Sequence, residues 1–441
     1  MRHPSLVPPL ALALLAGACA RPPHATLDPG RTLADLRQTR TVIPDGDLAS
    51  ALTQVAWKDH PDLTLAEAGL AAARAGILTA KARPNPSFGF SATRAEGVPR
   101  PWTLTYGLNL PIETGGKRDL RLRQARLRVE VAQLEVADTA WRLRMEVRKA
   151  LVDWLQAREA ADAADREAAL RADLLTLQKR RLALGEIGSP EVAMATLEAQ
   201  RAAAARFTVQ AEARRAASAL ALAAGVNPET LAPHLQGEPP VDLTPPPALS
   251  AQDTDALIHR LDVRRTLLAW EQNETTLDQE AAQRIPDLQL GPGYSFDQGV
   301  KKWTLGFTVD LPLFDRRQGP IAEAVARRKV IEARLRQEER SSLSGAELAA
   351  ARFANARERL RAEVEAMTTQ AARLAAAKRV FDLGGLDRGG WLAAQLEAAQ
   401  ARSLAVEAWA EAQRARLAVE EAFQKPLDPS EQPFRLDGVS R

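Results

Sequence analysis

Two segments of the chain alternate strictly between apolar and polar positions. Leu104, Tyr106, Leu108 and Leu110 fall on one side of an extended backbone, with Thr103, Thr105, Gly107 and Asn109 on the other. Further on, Leu305, Phe307, Val309 and Leu311 alternate in the same way with Thr304, Gly306, Thr308 and Asp310. Partner runs pass through Phe88 and Phe90, and through Leu288, Leu290, Tyr294 and Phe296. The pattern predicts strands at 84–94, 101–112, 286–297 and 302–313. Each is about ten residues, enough to cross a bilayer as a tilted strand.

A second period fills the space between them. Lys117 to Leu184 contains no proline, and Leu127, Leu134, Trp141 and Leu155 follow a seven-residue spacing. Val131, Met145 and Val152 share the companion position, while Arg148 and Asp138 interrupt the two series. Leu170, Leu174, Leu177 and Leu184 continue in a shifted phase, so the stripe drifts around the helix. A helix over 117–184 makes a rod of roughly 100 Å. The break at Gly185 to Pro190 returns the chain through a helix at 190–224. Helices at 320–383 and 390–423 do the same later, giving two long antiparallel hairpins.

The whole arrangement is stated twice, in a repeat of about 200 residues that exceeds any solenoid period. Trp102-Thr103-Leu104-Thr105 answers to Trp303-Thr304-Leu305-Gly306, and Leu184-Gly185 to Leu383-Gly384. The halves span 47–238 and 251–424, separated by a proline-rich linker at 239–250 and followed by a tail at 425–441. Residues 1–18 read as a lipoprotein-type signal, with an apolar run from Leu6 to Leu15 before Cys19, the predicted acylation site. An extended tether at 19–46 follows.

Composition narrows the function classes. Among 441 residues there is one Cys, which excludes a disulfide framework and a cysteine zinc site. The net charge of +3 does not advertise nucleic acid. No run of about 18 uninterrupted apolar residues marks a transmembrane helix. The five His residues are scattered, with no ligand spacing and no nucleophile motif, so no enzyme activity, cofactor or metal site is expected. His60, before Pro61, reads as structural, and the helix carboxylates read as solvated faces with arginine partners.

Four strands in hydrocarbon cannot pair all their backbone groups, because a spanning sheet must close and about eight strands are the minimum. Three copies would supply twelve strands. At this point the chain resembles the TolC-like family of outer-membrane efflux ducts. Leu110-Pro111-Ile112-Glu113-Thr114-Gly115-Gly116-Lys117-Arg118, Leu311-Pro312-Leu313-Phe314-Asp315-Arg316, His60-Pro61-Asp62-Leu63 and the two glycine breaks carry the resemblance. It implies a mainly α protein with a membrane β part, in which a homotrimer forms a periplasmic α-barrel beneath a shared twelve-stranded β-barrel. It also implies an outer-membrane location and, as partners, a periplasmic adaptor and an inner-membrane pump. The strand-to-helix turn Gly115-Gly116-Lys117-Arg118 resembles the branch exporting cobalt, zinc and cadmium. In the family the hairpin tips constrict the pore and meet the adaptor; here those positions are Leu184, Gly185, Glu186 and Gly188, with Asp382, Leu383, Gly384, Gly385 and Asp387. A periplasmic adaptor or coiled-coil scaffold lipoprotein is the alternative, but adaptors carry one central hairpin rather than a twofold repeat.

Overall fold

The period-two segments pair into a single antiparallel sheet and the long periodic segments form rods. The computed structural model describes residues 25–32, 41–236, 238–248, 254–428, 431 and 434. Residues 25–32 belong to a separate unit ending at Thr41, where the Asp28 carboxylate accepts the Gly30 N–H at 2.9 Å. Cys19 and the signal lie outside the described residues.

From Val42 onward the chain is one unit. Its elements are α1 (Leu48–Asp59), α2 (Pro61–Lys81), β1 (Ser87–Arg94), β2 (Trp102–Ile112), α3 (Lys117–Ala183), α4 (Ser189–Ala224) and α5 (Pro228–Gln236). The second half runs from a 3-10 turn (Thr254–His259) through α6 (Leu261–Ala282), β3 (Leu288–Asp297), β4 (Val300–Val309), α7 (Gln318–Asp382) and α8 (Arg388–Phe423). At 67 and 65 residues, α3 and α7 are each roughly 100 Å long at 1.5 Å per residue.

The sheet has the order β1-β2-β3-β4, so strands from the two halves meet at its centre and both outer edges are open. The fourth strand stops at Val309, short of the expected 313. Pro312 has no N–H to give a ladder, and the Leu313 N–H instead turns back to the Leu311 carbonyl at 2.8 Å. The first strand starts at Ser87, after Pro84 and Pro86.

The core sits midway along the rods. Leu52, Val55 and Ala56 of α1 pack on Val136, Leu143, Val147 and Trp154 of α3, and on Leu220 and Ala224 of α4. A second cluster joins Val152 of α3 to Leu360 of α7 and to Val406 and Trp409 of α8. His60 ends α1 and caps α2, its Nδ1 accepting the Asp62 N–H at 3.1 Å. By length and composition α2 could cross a membrane, but it lies along α3. Asp62 at its start pairs with Arg142, and Arg118 and Arg121 hold the carbonyls of Lys81 and Ala82 at its end.

The described parts of the linker and tail are not loose connections. Arg158 holds the carbonyls of Glu238 and Pro239 at 3.0 and 2.8 Å, Arg357 holds that of Pro246, and Leu243 is buried. In the tail, Glu431 pairs with Arg144 and Phe434 meets the Trp57 ring edge-on at 5.5 Å. Both segments are straps over the middle of the rods, held by side chains that composition does not reveal.

Candidate functional site

Cross-strand register assigns every strand residue to a face. Leu104 sits opposite Phe296, Tyr106 opposite Tyr294, Leu110 opposite Leu290, and Leu290 opposite Phe307. One face therefore gathers Phe88, Phe90, Leu104, Tyr106, Leu108, Leu110, Leu305 and Phe307. The other gathers Thr103, Thr105, Asn109, Gln289 and Thr308, with Gly89, Gly107, Gly291, Gly293 and Gly306 between them. No described element covers the apolar face: Leu305 and Phe307 are 73% and 74% exposed. In water such a face would be an aggregation surface, whereas in lipid it is the expected outside of a wall.

One feature of that face is invisible in any single strand. Phe90, Tyr106, Tyr294 and Trp303 form a row across all four strands, with successive ring centroids 5.1, 6.2 and 4.8 Å apart. Only the pairing register aligns residues so distant in sequence. The row crosses β1 and β2 near their middles and β3 and β4 nearer the connection between them.

At the opposite end the strands run into the helices. Gly115 and Gly116 both have left-handed backbones, at φ +63° and +70°. A Cβ on Gly115 would stand 3.1 Å from the Ala282 carbonyl, so this turn requires glycine. Lys117 then donates to Asp287 at 2.7 Å and to the Ile285 carbonyl at 2.8 Å, while Thr114 donates its N–H to Asp287 at 2.9 Å. Burial opposes ionisation of Asp287, but the Lys117 and Thr114 hydrogen bonds and the Lys117 charge outweigh it and hold its pKa below the ordinary value. Arg121 pairs with Glu113, and Arg118 reaches back to the Lys81 carbonyl. This turn thus fastens the two halves together beneath the sheet.

The tips are the same structure made twice. At the end of α3 the Glu186 N–H reaches the Arg181 carbonyl and the Gly185 N–H reaches that of Leu182. At the end of α7 the Gly385 N–H reaches Val380 and the Gly384 N–H reaches Phe381. Each is a Schellman turn with one left-handed glycine, Gly185 at φ +74° and Gly384 at φ +78°. Gly188 and Gly385 do not adopt positive φ. Leu184 and Leu383 project at 75% and 87% exposure. The tip carboxylates have local partners: Glu186 takes Arg181 at 3.1 Å, Asp382 takes Lys378 at 3.0 Å, and Asp387 caps α8 through the Gly390 N–H at 2.8 Å.

Not every helix carboxylate lies on a solvated face. Arg144, 1% exposed, donates to Glu420 and Glu431, each at 2.6 Å, and Arg148 reaches Glu431 at 2.7 Å. Burial pushes the Glu431 pKa up, but hydrogen bonds and charge from Arg144 and Arg148 prevail and leave it lowered. Glu159 is lowered in the same way: burial is outweighed by Arg402, by the Val241 N–H and by Arg158. Among the described residues no group of three or more His, Cys, Asp or Glu side chains could hold a metal ion.

Residues 52–226 match the family described as outer membrane efflux protein. The cobalt-zinc-cadmium resistance protein CzcC of Cupriavidus metallidurans is 27% identical over 286 residues, or 63% of this chain. That match spans 66% of CzcC, just under two thirds of its length. The fold is similar to that of the outer membrane protein VceC of Vibrio cholerae, with a TM-score of 0.67 and 20% identity over 86% of this chain and 97% of that one. It is also similar to the CmeC outer membrane channel of Campylobacter jejuni, with a TM-score of 0.67 and 14% identity over 87% of each chain.

Proposed function

From the match of residues 52–226 to the outer membrane efflux protein family we propose that the chain is a member of it and acts as the passive exit duct of a tripartite efflux system. Three copies join their open β1 and β4 edges into a twelve-stranded barrel, with the rods hanging beneath as an α-barrel. The observation that carries this is the sheet itself, open at both edges and apolar on one uncovered face except for Arg94 and Lys301 at its connection end. Unpaired edges in hydrocarbon cost several kcal/mol per group, and only closure removes them. The glycine-rich polar face then lines a water-filled passage.

The cargo is a divalent heavy-metal cation. The likeness to a protein named for cobalt, zinc and cadmium resistance supports this, together with the Gly115-Gly116-Lys117-Arg118 turn. The duct passes its cargo without binding it. Leu184 and Leu383 at the tips dock a periplasmic adaptor, which links the duct to an inner-membrane pump. Cys19 carries the lipid anchor.

Three measurements test this reading. Electron microscopy of the detergent-extracted chain should show a trimer with a barrel cap, and intact mass should show an acylated Cys19. Deleting the gene should lower tolerance to cobalt, zinc and cadmium while leaving drug tolerance unchanged. Monomers without a barrel would overturn the duct, and a drug-only phenotype would overturn the cargo.

A further inference from the structure

The chain crosses between helix and strand four times, and a cation stands beside each crossing. Lys81 and Arg83 precede β1, Lys117 and Arg118 follow β2, Arg284 precedes β3, and Arg316 and Arg317 follow β4. Some of these cations are committed to the fold. Lys117 is neutralised by Asp287, Arg317 pairs with Glu280 at 2.6 Å, and Arg118 is anchored on the Lys81 carbonyl. Lys81, Arg83, Arg284 and Arg316 are different. All four are exposed, and none has an ion-pair or hydrogen-bond partner for its side chain among the described residues. The nearby acids do not serve them: Asp287 belongs to Lys117, and Asp315 accepts the Arg317 N–H at 2.8 Å. Asp310, just past the end of β4, forms no ion pair with any of the four.

Exposed apolar side chains share the same level. Ile112, Ile285, Leu311 and Leu313 are all exposed, and Phe314 is 95% exposed. Free cations beside bare aliphatic and aromatic groups, just below an apolar wall, match the chemistry of a phospholipid boundary, with acyl chains against the wall above and phosphates at the level of the cations. From Trp102 to Ile112, β2 rises about 33 Å along the strand, or roughly 25 Å of height at a tilt near 40°. The cations therefore stand at the helical margin of an apolar band of membrane height, with the aromatic row crossing near its middle.

We propose that Lys81, Arg83, Arg284 and Arg316 form a belt that binds anionic phospholipid headgroups, of the phosphatidylglycerol class, at the helical margin of the barrel. The belt rests on the reading of the sheet as a membrane wall. Each half supplies a share: Arg83 stands directly before Pro84, and Arg284 stands two residues before Pro286. The ligand is an anionic lipid rather than free phosphate because the apolar residues at that level need acyl chains to cover them.

The test uses the full-length protein in vesicles of phosphatidylcholine mixed with phosphatidylglycerol, followed by native mass spectrometry of the lipids it retains. Wild type should retain phosphatidylglycerol preferentially. Raising NaCl from about 0.1 M to about 1 M, which shortens the Debye length from ~10 to ~3 Å, should weaken that preference. The quadruple variant Lys81→Gln, Arg83→Gln, Arg284→Gln, Arg316→Gln should lose it, at about fivefold per cation for separate sites. The charge-keeping variant Lys81→Arg, Arg83→Lys, Arg284→Lys, Arg316→Lys should retain it. A wild type that inserts but holds both lipids equally, or with a preference indifferent to salt, overturns the belt alone. A wild type that enters neither vesicle overturns the membrane wall and the belt together.

Discussion

Midway along the rods apolar side chains point inward, and a charged triad is shut away among them. In the sheet one face carries uncovered apolar side chains, and the other is polar and glycine-rich. Val136, Leu143 and Val147 are fully buried, while Leu305 and Phe307, no less apolar, are almost uncovered. The same side-chain chemistry takes opposite positions because the surroundings differ. In water burial stabilises apolar groups; in lipid they have no such need, and the backbone's hydrogen bonds dictate the architecture instead. The rods can afford a buried Arg144 only because two carboxylates complete its coordination.

Breaking that coordination should have the largest effect. Arg144→Ala leaves Glu420 and Glu431 buried without their partner and should cost about 3–5 kcal/mol, read as a lower thermal midpoint of the extracted trimer. Acid should act on the same place. Glu431 and Glu159 have lowered folded-state pKa values, so their stabilisation is complete above the unfolded value of about 4.3 and fades as pH falls through the folded one. Wild type should therefore lose stability below roughly pH 4, and Glu431→Gln should flatten that loss. A midpoint indifferent to Arg144→Ala would mean that the cage is not structural.

The sheet should respond by face. Leu305→Arg puts a charge on the apolar wall and should cost about 2–4 kcal/mol of assembly. Thr308→Arg, on the polar face, should leave trimer yield unchanged and alter conductance in planar bilayers. Equal loss of trimer from both substitutions would reverse or abolish the assigned faces.

The tips should respond least in stability. Leu184→Asp with Leu383→Asp removes exposed apolar surface that packs on nothing in the described chain, so the melting point should not move. Efflux should nevertheless stop, measured as cellular retention of zinc and cobalt. Export at the parental rate would show that the adaptor grips elsewhere.

Much of the fold was legible because both periods are simple. Leu104 to Leu110 alternate without error, and the proline-free run from Lys117 cannot be anything but a long helix. Pairing was less legible. The aromatic row depends on Tyr106 meeting Tyr294, which no local pattern reports, and β4 ends early because Pro312 follows it. The caged Arg144 looked like any other arginine on an arginine-rich helix, since its partners lie 276 and 287 residues away. The anchoring of the linker and tail was not legible, because their anchors are backbone carbonyls and single side chains, which carry no compositional signature. At the tips the leucines and glycines stood out, but the local partners of Glu186, Asp382 and Asp387 came only from geometry.

The pairing of β2 with β3 also sets a clock. Ile112 must wait for Leu288, 176 residues further along the chain, to be delivered to the same place. Throughout that interval the β1–β2 hairpin is a sticky intermediate, apolar on one side and without its inner neighbour. Long rods form in microseconds and need no distant partner. Biogenesis is therefore paced by the strands: the helices are ready early, and the hairpin has to be kept from the wrong company until the second half is made.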